Sequence, residues 1–597
     1  MKKNIFFCLS LFFLYASNLV AQKLSYTLSV SKPHTHYVEV SVKIEGIKKD
    51  FIDFKMPVWA PGSYLVREFS KNVEGESAED ASGKALPLEK VRKNTWRITT
   101  NKSETVSFSY KVYAYEVSVR TSFIDAAHAH LVPTSIFVYP DGMLDLPSTI
   151  QIKTFADWKE ISTGLAMIGN DKFMLSSPNY DVLADSPIEL GNQKIYDFTA
   201  DNIPHKIAVY GGGNYNEDNF TKDVAKVTET ATKIFGENPC KDYTFIINNV
   251  GSNAGNGGLE HLNSTSLVLN RFNYNTPTGY VRFLELVAHE YFHLWNVKRL
   301  RPQPLGPFDY DNENYTRQLW ISEGFTSYYQ EVIVRRAGFT NEFDFLNGIA
   351  SEIDIHENSP GGQVQSITES SYDAWIKGYR PNENSRNTGI SYYGSGARVA
   401  AILDLIIIQN SKGKHGLDDV MKFAYQEYYK KLNRGFTEDE FKKALEKFAG
   451  IKLDDFFKKH VYGTEKPDYN LYYGYAGLQL NESKSFAVDL GASIAEENNR
   501  LMIKAVTKGE SAYEYGLNVN DEILAIDNFR MGNRTFMAQY LQGKKRGDKI
   551  KVLVARDMNL QTIEVVLMGS NANIYSLSRV PNPSESQQLV YNKWLSK

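Results

Sequence analysis

Two histidines four residues apart, His289 and His293, enclose Glu290 in an H-E-x-x-H pentapeptide. The pentapeptide lies in an apolar run, residues 281–297, without Pro or Gly, which predicts a helix. Residues four apart share one face of a helix, so both imidazoles would point to one spot, as a Zn²⁺ ion requires. Glu290, the next residue round the helix, could then accept a proton from a metal-activated water. The alternative is a core helix that carries two hydrogen-bonded histidines.

A catalytic zinc site needs a third protein ligand and keeps one position open. Glu323, in L-W-I-S-E-G-F, stands near the start of a second predicted helix over residues 322–336. An antiparallel return of that helix would bring Glu323 beside the two histidines. The alternative is a carboxylate that is merely favourable at a helix N-terminus.

Length and composition narrow the class of protein. A chain of 597 residues predicts several domains, and a net charge of −3 with no long run of one sign argues against nucleic acid as the main partner. Cys240 is the only cysteine outside the first 21 residues, so we expect neither an intramolecular disulfide nor thiolate zinc ligands.

Residues 1–21 have the pattern of an export signal: a basic start, an apolar stretch and a small-residue cleavage site. We therefore expect a periplasmic or secreted protein, with an uncleaved anchor as the alternative. The signal holds two Lys and no acid, so the mature net charge would be −3 − 2 = −5. No segment of the mature chain is expected to span a membrane.

Hydrophobic periodicity divides the mature chain into successive units. Period-2 alternation predicts strands near the N-terminus and again beyond the helical middle of the chain. The predicted units are a β-rich N-terminal domain (22–201), a catalytic domain around the H-E-x-x-H helix (202–341), a helical part (342–465), a second strand-rich domain (470–570) and a polar tail that ends in a short helix (571–597). The fold class is therefore multidomain α+β.

The H-E-x-x-H pentapeptide followed by Glu323 in L-W-x-x-E-G-F-x-x-Y resembles the gluzincins, zinc peptidases such as thermolysin and aminopeptidase N whose third ligand is Glu. More narrowly, the chain resembles the glycyl aminopeptidase family, gluzincins with a C-terminal PDZ domain. The stretches that carry this likeness are M-P-V-W-A-P-G-S-Y (56–64), G-G-L-E-H (257–261), L-W-I-S-E-G-F-T-S-Y-Y (319–329) and Y-Y-G-S-G (392–396). The resemblance covers nearly the whole mature chain. It implies a thermolysin-like catalytic domain completed by the helical part, with one Zn²⁺ held by His289, His293 and Glu323.

The G-G-L-E-H stretch corresponds to the exopeptidase signature of aminopeptidase N, in which the Glu binds the free α-amino group of the substrate. The resemblance thus implies that Glu260 selects N-termini, with Gly257, Gly258 and His261 in the substrate-binding segment. Glycines let a substrate backbone approach closely, and an extended segment can pair with a peptide. Aminopeptidase N has Asn at the position of His261. A flexible glycine-rich loop is the alternative.

Tyr393 occupies the Y-x-x-G position at which gluzincin aminopeptidases place a transition-state tyrosine. A phenol there could donate a hydrogen bond to the oxyanion formed during hydrolysis. Tyr392 is a competing candidate, and Ser395 stands where the family usually has Lys.

Residues 501–531 resemble the bacterial PDZ pattern. The matching positions are Ala512, Gly516, Leu517, Asp521 and Ile523. Asn520 replaces the usual Gly before the Asp, and Asn can also adopt a left-handed turn conformation. PDZ domains bind peptide C-termini by strand addition. The alternative role is a structural cap on the catalytic domain.

One further pair, His128 and His130, would share one face of a strand. Without an acidic partner in the nearby sequence, we expect surface or packing roles rather than a metal site.

These patterns favour a zinc-dependent aminopeptidase that hydrolyses the N-terminal peptide bond of peptides, with Glu290 as general base. The family resemblance adds a preference for small N-terminal residues such as Gly or Ala. The alternatives are a zinc endopeptidase on the same scaffold and an exported PDZ-bearing peptide-binding protein without activity.

Overall fold

The computed structural model describes residues 22–251, 257–485, 488–570 and 572–595. The predicted export signal, residues 1–21, lies outside the described residues. Across the described ranges, strand-rich units stand at both ends of the chain and helices dominate between them, which confirms the multidomain α+β class.

The N-terminal domain consists of three β-sheets. Its strands are β1 (Lys23–Ser29), β2 (Tyr37–Glu45), β3 (Phe51–Lys55), β4 (Val73–Glu79), β5 (Leu88–Arg92), β6 (Thr95–Thr99), β7 (Thr105–Tyr113), β8 (Tyr115–Ser118), β9 (Thr121–Ile124), β10 (Ala129–Leu131), β11 (Tyr139–Pro140), β12 (Ser148–Lys153), β13 (Glu160–Thr163), β14 (Ala166–Ile168), β15 (Asp171–Ser177) and β16 (Ile188–Gly191), with one short helix, α1 (Tyr180–Ala184). The strand orders are β14-β15-β12-β1-β2-β7-β4, β13-β16-β10-β9-β8 and β11-β3-β6-β5. Alternate residues of β2 and β7 are buried, because successive side chains of a strand face opposite sides.

The catalytic domain is built on a mixed five-stranded sheet. It contains β17 (Lys194–Ala200), β18 (Ile203–Tyr210), α2 (Glu217–Phe235), β19 (Tyr243–Val250), β20 (Gly257–Glu260), β21 (Ser264–Asn270) and α3 (Pro277–Phe292). The order is β17-β18-β19-β21-β20, with β18, β19 and β21 parallel and β20 antiparallel at one edge. Because β17 pairs with β18, the sheet begins before the predicted domain boundary at residue 201.

The helical part shares one hydrophobic core with the catalytic sheet. Its helices are α4 (Phe325–Arg336), α5 (Glu342–Glu357), α6 (Ile367–Tyr372), α7 (Ser385–Thr388), α8 (Tyr392–Asn410), α9 (Leu417–Ala424), α10 (Glu438–Ala449), α11 (Asp454–His460) and α12 (Tyr469–Gly474). Turns of π-helix cover Trp320–Gly324 and Tyr425–Lys431, and 3-10 turns cover Pro33–Thr35, Phe69–Asn72, Pro133–Ser135, Gln303–Leu305, Pro360–Gln363 and Asp373–Trp375. A capping box formed by Thr437 and Glu440 begins α10.

The central helix of this core is also the most apolar. By length and composition alone the stretch Ser385–Asn410 could cross a membrane, so the expectation that no mature segment spans a membrane stays a prediction. However, 78% of its apolar window is buried inside the protein. It therefore packs as the core helix of a globular domain does.

The C-terminal region contains a PDZ domain between two paired strands. Its elements are β22 (Leu478–Lys484), β23 (Ala492–Glu497), β24 (Arg500–Val506), α13 (Ser511–Tyr515), β25 (Glu522–Ile526), β26 (Phe529–Arg530), α14 (Arg534–Gln542), β27 (Lys549–Arg556), β28 (Asn559–Val566), β29 (Asn573–Arg579) and α15 (Glu585–Trp594). Strand β22 pairs with β29 outside the PDZ sheet, whose main order is β23-β24-β25-β27-β28. The predicted polar tail is thus part of the folded core: Trp594 of α15 donates a hydrogen bond to the Tyr328 hydroxyl at 2.9 Å. Asn520 adopts the predicted left-handed conformation, with φ of 69°.

Candidate metal centre and active site

The helix predicted from the apolar run is α3, which supplies both histidines. It ends at Phe292, and His293 is the capping residue. The His293 N–H donates to the His289 carbonyl oxygen at 3.2 Å, so the four-residue spacing still places both rings on one face. Their ring centroids are 4.7 Å apart, and both side chains are buried.

Glu323 is positioned by a turn of π-helix rather than by a helix N-terminus. The turn Trp320–Gly324 continues directly into α4, so the helical run begins earlier than the predicted residue 322. Turns of π-helix occur frequently at functional sites. Gly324 allows a close approach to α8, since a Cβ atom on it would lie 2.5 Å from the Gly396 Cα atom. This packing places Glu323 between α3 and α8.

The three predicted ligands meet in one cluster, called here the metal site (His289, His293 and Glu323). The Glu323 Oε2 atom is 3.4 Å from His289 Nε2 and 3.3 Å from His293 Nε2. The other nitrogen of each ring is engaged: His289 Nδ1 is 2.8 Å from Gln330 Oε1, and His293 Nδ1 is 2.6 Å from the Asn296 carbonyl oxygen. Both of these oxygens accept a hydrogen bond from Nδ1–H, so a neutral ring presents the Nε2 lone pair to Glu323. Three acceptors that face one another fit a divalent cation.

The charges in the metal site agree with this fit. Burial opposes ionisation of Glu323, yet the His293 and His289 rings lower the pKa of this carboxyl to about 2. Burial likewise lowers the pKa of His293, but Glu323 and Glu260 outweigh it and raise this pKa to about 10. The carboxylates therefore favour positive charge between these groups, and a metal ion supplies it as well as a proton does.

Glu290 and Glu260 lie beside the metal site and face each other. One carboxylate oxygen of each and one ring nitrogen of His293 lie within 4.8 Å of one another. Burial raises the pKa of Glu290 to about 8, although His293 opposes the rise. Glu290 Oε2 and Glu260 Oε1 are both buried without a hydrogen-bond partner among the described residues. Buried polar atoms in native structures are normally satisfied, so these oxygens mark a place for a water or a substrate ammonium group.

Gly257, Gly258 and Glu260 form an edge strand, so the flexible-loop alternative was wrong for this part of the segment. The open edge of β20 can accept an extended peptide, because the described strands pair with it on the β21 side only. A Cβ atom on Gly258 would lie 2.1 Å from Glu290 Oε1. The strand thus passes directly over the carboxylate of Glu290, which only glycine permits. The preceding part of the glycine-rich segment, residues 252–256, lies outside the described residues.

His261 lies in the turn between β20 and β21, where the N-terminal domain fixes it. Its Nδ1 atom is 3.1 Å from Asp185 Oδ1, and the Leu262 N–H donates to Asp185 Oδ2 at 2.9 Å. Lys298 Nζ donates to the same carboxylate at 2.7 Å. Asp185 therefore holds the turn that presents Glu260. No motif pointed to it, because it lies 76 positions from His261 and belongs to another domain.

Tyr393 lies beside the metal site, at the start of α8. Its ring stacks on His289 with centroids 6.2 Å apart, and it is partly exposed, whereas Tyr392 is 3% exposed. Burial, with Glu323 adding to it, raises the pKa of the Tyr393 phenol, which keeps the phenol a hydrogen-bond donor. Tyr379 lies beside Tyr393 and donates a hydrogen bond to the Gly62 carbonyl oxygen at 3.2 Å.

Two neighbours of the site differ in how far the sequence could have indicated them. Gln330 stands seven residues after Glu323, about two helical turns, so helical spacing could have suggested that both face one site. Tyr379 has no comparable signal, because a long irregular segment connects it to the site.

Matches to known protein families fall on three of the domains described above: the N-terminal domain, the catalytic part and the PDZ domain. Residues 25–192 match the Peptidase M61 N-terminal domain, residues 282–399 match M61 glycyl aminopeptidase, and residues 488–567 match a PDZ domain. An aminopeptidase N family protein of Idiomarina loihiensis is 31% identical, with a TM-score of 0.90, and the match covers 96% of this chain and 100% of that chain. An M1 zinc metallopeptidase of Deinococcus radiodurans is 12% identical, with a TM-score of 0.46, over 75% of this chain and 94% of that chain. No curated protein matches the sequence.

The fold and the matched segments define a metallopeptidase of the aminopeptidase type, with a β-rich N-terminal domain and a PDZ domain. The chain belongs to the M61 glycyl aminopeptidase family. The resemblance found in the sequence is thereby confirmed.

Proposed function

We propose that this peptidase is a zinc-dependent aminopeptidase that removes small N-terminal residues from peptides. The observation that carries the proposal is the separation of at most 4.8 Å between the Glu260 and Glu290 carboxylate oxygens and the His293 ring nitrogen. An α-ammonium group bound by Glu260 would leave room for one residue before the carbonyl attacked beside Glu290. An endopeptidase substrate would instead place an uncharged amide against the buried Glu260 carboxylate, which favours a cation.

The chain's own residues can perform the proton transfers of hydrolysis. His289, His293 and Glu323 would hold the zinc ion, which supplies Lewis-acid polarisation of water and of the scissile carbonyl. Glu290 accepts the proton of the attacking water at its unpartnered Oε2 atom and delivers it to the leaving amine. Tyr393 donates a hydrogen bond to the developing oxyanion, and its partial exposure favours it over the buried Tyr392 for this role.

The preference for Gly or Ala rests on the family resemblance, and a small cavity lies beside Glu260. The cavity measures about 20 Å³, and Trp59, Pro61, Gly62 and Tyr64 form part of its wall. A Cβ atom on Gly62 would lie 2.7 Å from Glu260 Oε1, so this loop packs directly on the carboxylate. A volume of this size holds about one water-sized group, comparable to a methyl.

Replacement of Glu290 by Gln tests the mechanism, because it keeps the side-chain shape and removes the proton acceptor. We expect the variant to retain zinc and to lose about 10²- to 10⁴-fold in kcat on an alanyl p-nitroanilide. Zinc content is measured by mass spectrometry alongside turnover. Glu285→Gln, the same substitution five residues earlier on α3, is the matched control. Near-normal turnover of zinc-loaded Glu290→Gln would exclude this residue as the base.

Replacement of Glu260 by Gln tests the aminopeptidase assignment. It should reduce cleavage of Ala-Ala-Phe by roughly 10- to 100-fold, because a charge-assisted contact to the ammonium is lost. The wild-type enzyme and Glu260→Gln should cleave N-acetylated Ala-Ala-Phe, which has no free amine, at similar rates. Equal losses on both peptides would contradict the amine role and leave the endopeptidase alternative in place.

We further propose peptide binding at the PDZ domain and export of the protein. The edge strand β23 lies beside α14, which would frame a groove for a peptide C-terminus. The basic and apolar pattern of residues 1–21 supports export. N-terminal sequencing of the protein recovered outside the cytoplasm should give Gln22 as the first residue.

A further inference from the structure

Arg120 brings a positive charge from the N-terminal domain to the open edge of β20. Its Nη1 atom lies 3.7 Å from the position of a Cβ atom on Gly257. The preceding residue, Val119, packs with Leu259, whose side chain faces away from Glu290 because it alternates with Gly258 along the strand. The guanidinium therefore lies against Gly257 on the open-edge strand, three residues along β20 from Glu260.

One donor of the Arg120 guanidinium has no hydrogen-bond partner in the part of the chain that the structure describes. This donor is the buried Nε atom, and the same holds for the Nε atom of Arg67. The hydrogen bond found for the Arg67 side chain runs from Nη2 to Ser63 Oγ, at 3.1 Å. Burial lowers the pKa of Arg67, and neighbouring Arg120 lowers it further, so the two guanidinium groups repel each other. Two nearby guanidinium groups with free donors suit a carboxylate, which accepts paired N–H groups.

A cavity extends from Arg67 to Tyr379. It has a volume of about 520 Å³, and its wall includes Arg67, Lys71, Glu116, Tyr379 and Arg380. Three of these residues are cationic and one is anionic, so the wall carries net positive charge. Tyr379 also lies beside Tyr393, so this end of the wall is close to the candidate oxyanion donor.

The distance along β20 indicates which part of a substrate would reach Arg120. Gly257 and Glu260 are three residues apart in the strand, a span of about 10 Å at the rise of ~3.3 Å per residue. A peptide that lies along the open edge with its amine at Glu260 would cover about three residues before it reaches the guanidinium.

We propose that Arg120, with Arg67 behind it, is a specificity-determining residue that binds a carboxylate on the third residue of the substrate. The enzyme would then act best on tripeptides with a free C-terminus. An acidic side chain on the third residue offers the same chemistry from a second source. The inference rests on the proposed aminopeptidase function, because it takes Glu260 as the anchor of the amine.

Four peptides test the proposal with the zinc-loaded full chain: Ala-Ala-Ala, its C-terminal amide, Ala-Ala-Asp amide and Ala-Ala-Asn amide. We expect kcat/KM for Ala-Ala-Ala to exceed that of its amide by about 10- to 100-fold, mainly through KM. In Arg120→Gln this ratio should fall towards one, because cleavage of Ala-Ala-Ala loses a contact that its amide does not make. Arg92→Gln, which removes an exposed arginine of β5 in the same domain, should keep the wild-type ratio.

The outcomes separate the inference from the function on which it rests. Equal cleavage of the tripeptide and its amide by the wild type would overturn the inference and leave the aminopeptidase function standing. Cleavage of none of the peptides would contradict the proposed function itself. Equal losses on all four peptides in Arg120→Gln, at an unchanged melting temperature, would reduce Arg120 to a structural role. A preference for Ala-Ala-Asp amide over Ala-Ala-Asn amide that disappears in Arg120→Gln would support the carboxylate site and assign it to acidic side chains as well.

Discussion

Two buried clusters of this protein each contain two histidines and one glutamate. They differ in which ring nitrogens of the histidines face the carboxylate. One is the metal site. The other, called here the interdomain cluster (His128, His130 and Glu189), lies where the N-terminal domain meets the catalytic sheet. His128 Nδ1 is 2.7 Å from Glu189 Oε1, and His130 Nδ1 is 3.0 Å from Glu189 Oε2. Asn248 of β19 donates to Glu189 Oε2 at 3.1 Å and so fastens the cluster to the catalytic sheet.

The difference lies in which ring nitrogen faces the carboxylate. In the interdomain cluster the Nδ1 atoms bond directly to Glu189, which leaves its oxygens satisfied and no place for a cation. In the metal site, outside acceptors hold the Nδ1 protons, and the Nε2 lone pairs face an oxygen of Glu323 that has no hydrogen-bond donor among the described residues. The partners of a histidine, more than the presence of a nearby carboxylate, decide whether the cluster binds a metal.

The largest effect should come from Glu323→Ala, which removes one ligand and the negative charge of the metal site. We expect the variant to lose bound zinc and at least roughly 10³-fold in kcat/KM. Zinc analysis and peptidase assays measure both. Glu189→Ala, which removes the matching carboxylate of the interdomain cluster, should retain zinc. Full zinc content in Glu323→Ala would contradict the role of Glu323 as a ligand and the contrast with Glu189.

A smaller effect is expected from Gln330→Leu, which removes the acceptor of the His289 Nδ1 proton. The ring could then present the wrong nitrogen, and zinc affinity should fall by about 10- to 100-fold. Competition with a chelator measures the affinity. Asn248→Leu, which removes a contact to Glu189, is the control and should leave the affinity unchanged. An unaltered affinity in Gln330→Leu would refute the role given to the outside acceptors.

Glu189→Gln should affect stability instead of metal binding. Breaking a buried charged pair costs about 3–5 kcal/mol in the free energy of unfolding. The cost should depend on pH. Although burial opposes it, His128 and His130 lower the pKa of Glu189 from 4.5 to about 2. Because the folded pKa is the lower one, the stabilisation is present above about pH 4.5 and is lost as the pH falls towards 2.

Chemical denaturation of both proteins across this range checks the prediction. The difference in unfolding free energy between wild type and Glu189→Gln should shrink steadily below pH 4.5. A difference that stays constant down to pH 2 would show that the carboxylate is not charged in the folded protein.

The sequence indicated the features that depend on neighbouring residues. The helix of the H-E-x-x-H motif, the alternation of β2 and the left-handed turn at Asn520 all follow from local spacing or local backbone preference, and all three are present. Glu323 could be chosen as a third ligand candidate for the same reason.

Features that depend on contacts between distant segments could not be predicted from local spacing or local backbone preference. The π-helical turn at Glu323 results from packing of Gly324 on Gly396, and β20 is a strand because it pairs with β21. The acidic partner of His128 lies 61 positions away, so no local pattern indicated that the two histidines are buried and bonded through Nδ1 to Glu189. Asp185 and Arg120 belong to another domain, and no periodic pattern in the sequence indicates that they lie near the site.

The pairing of β22 with β29 has a consequence for how the protein can be rebuilt. Lys484 and Asn573 lie directly opposite each other in this ladder. The chain therefore enters the PDZ domain and returns from it at one pair of neighbouring residues. A two-residue turn between these positions would close the ladder as an ordinary β-hairpin and keep α15 on its packing site. The PDZ domain is therefore an exchangeable module, and a different recognition domain whose termini lie close together could replace it while the peptidase keeps its own fold.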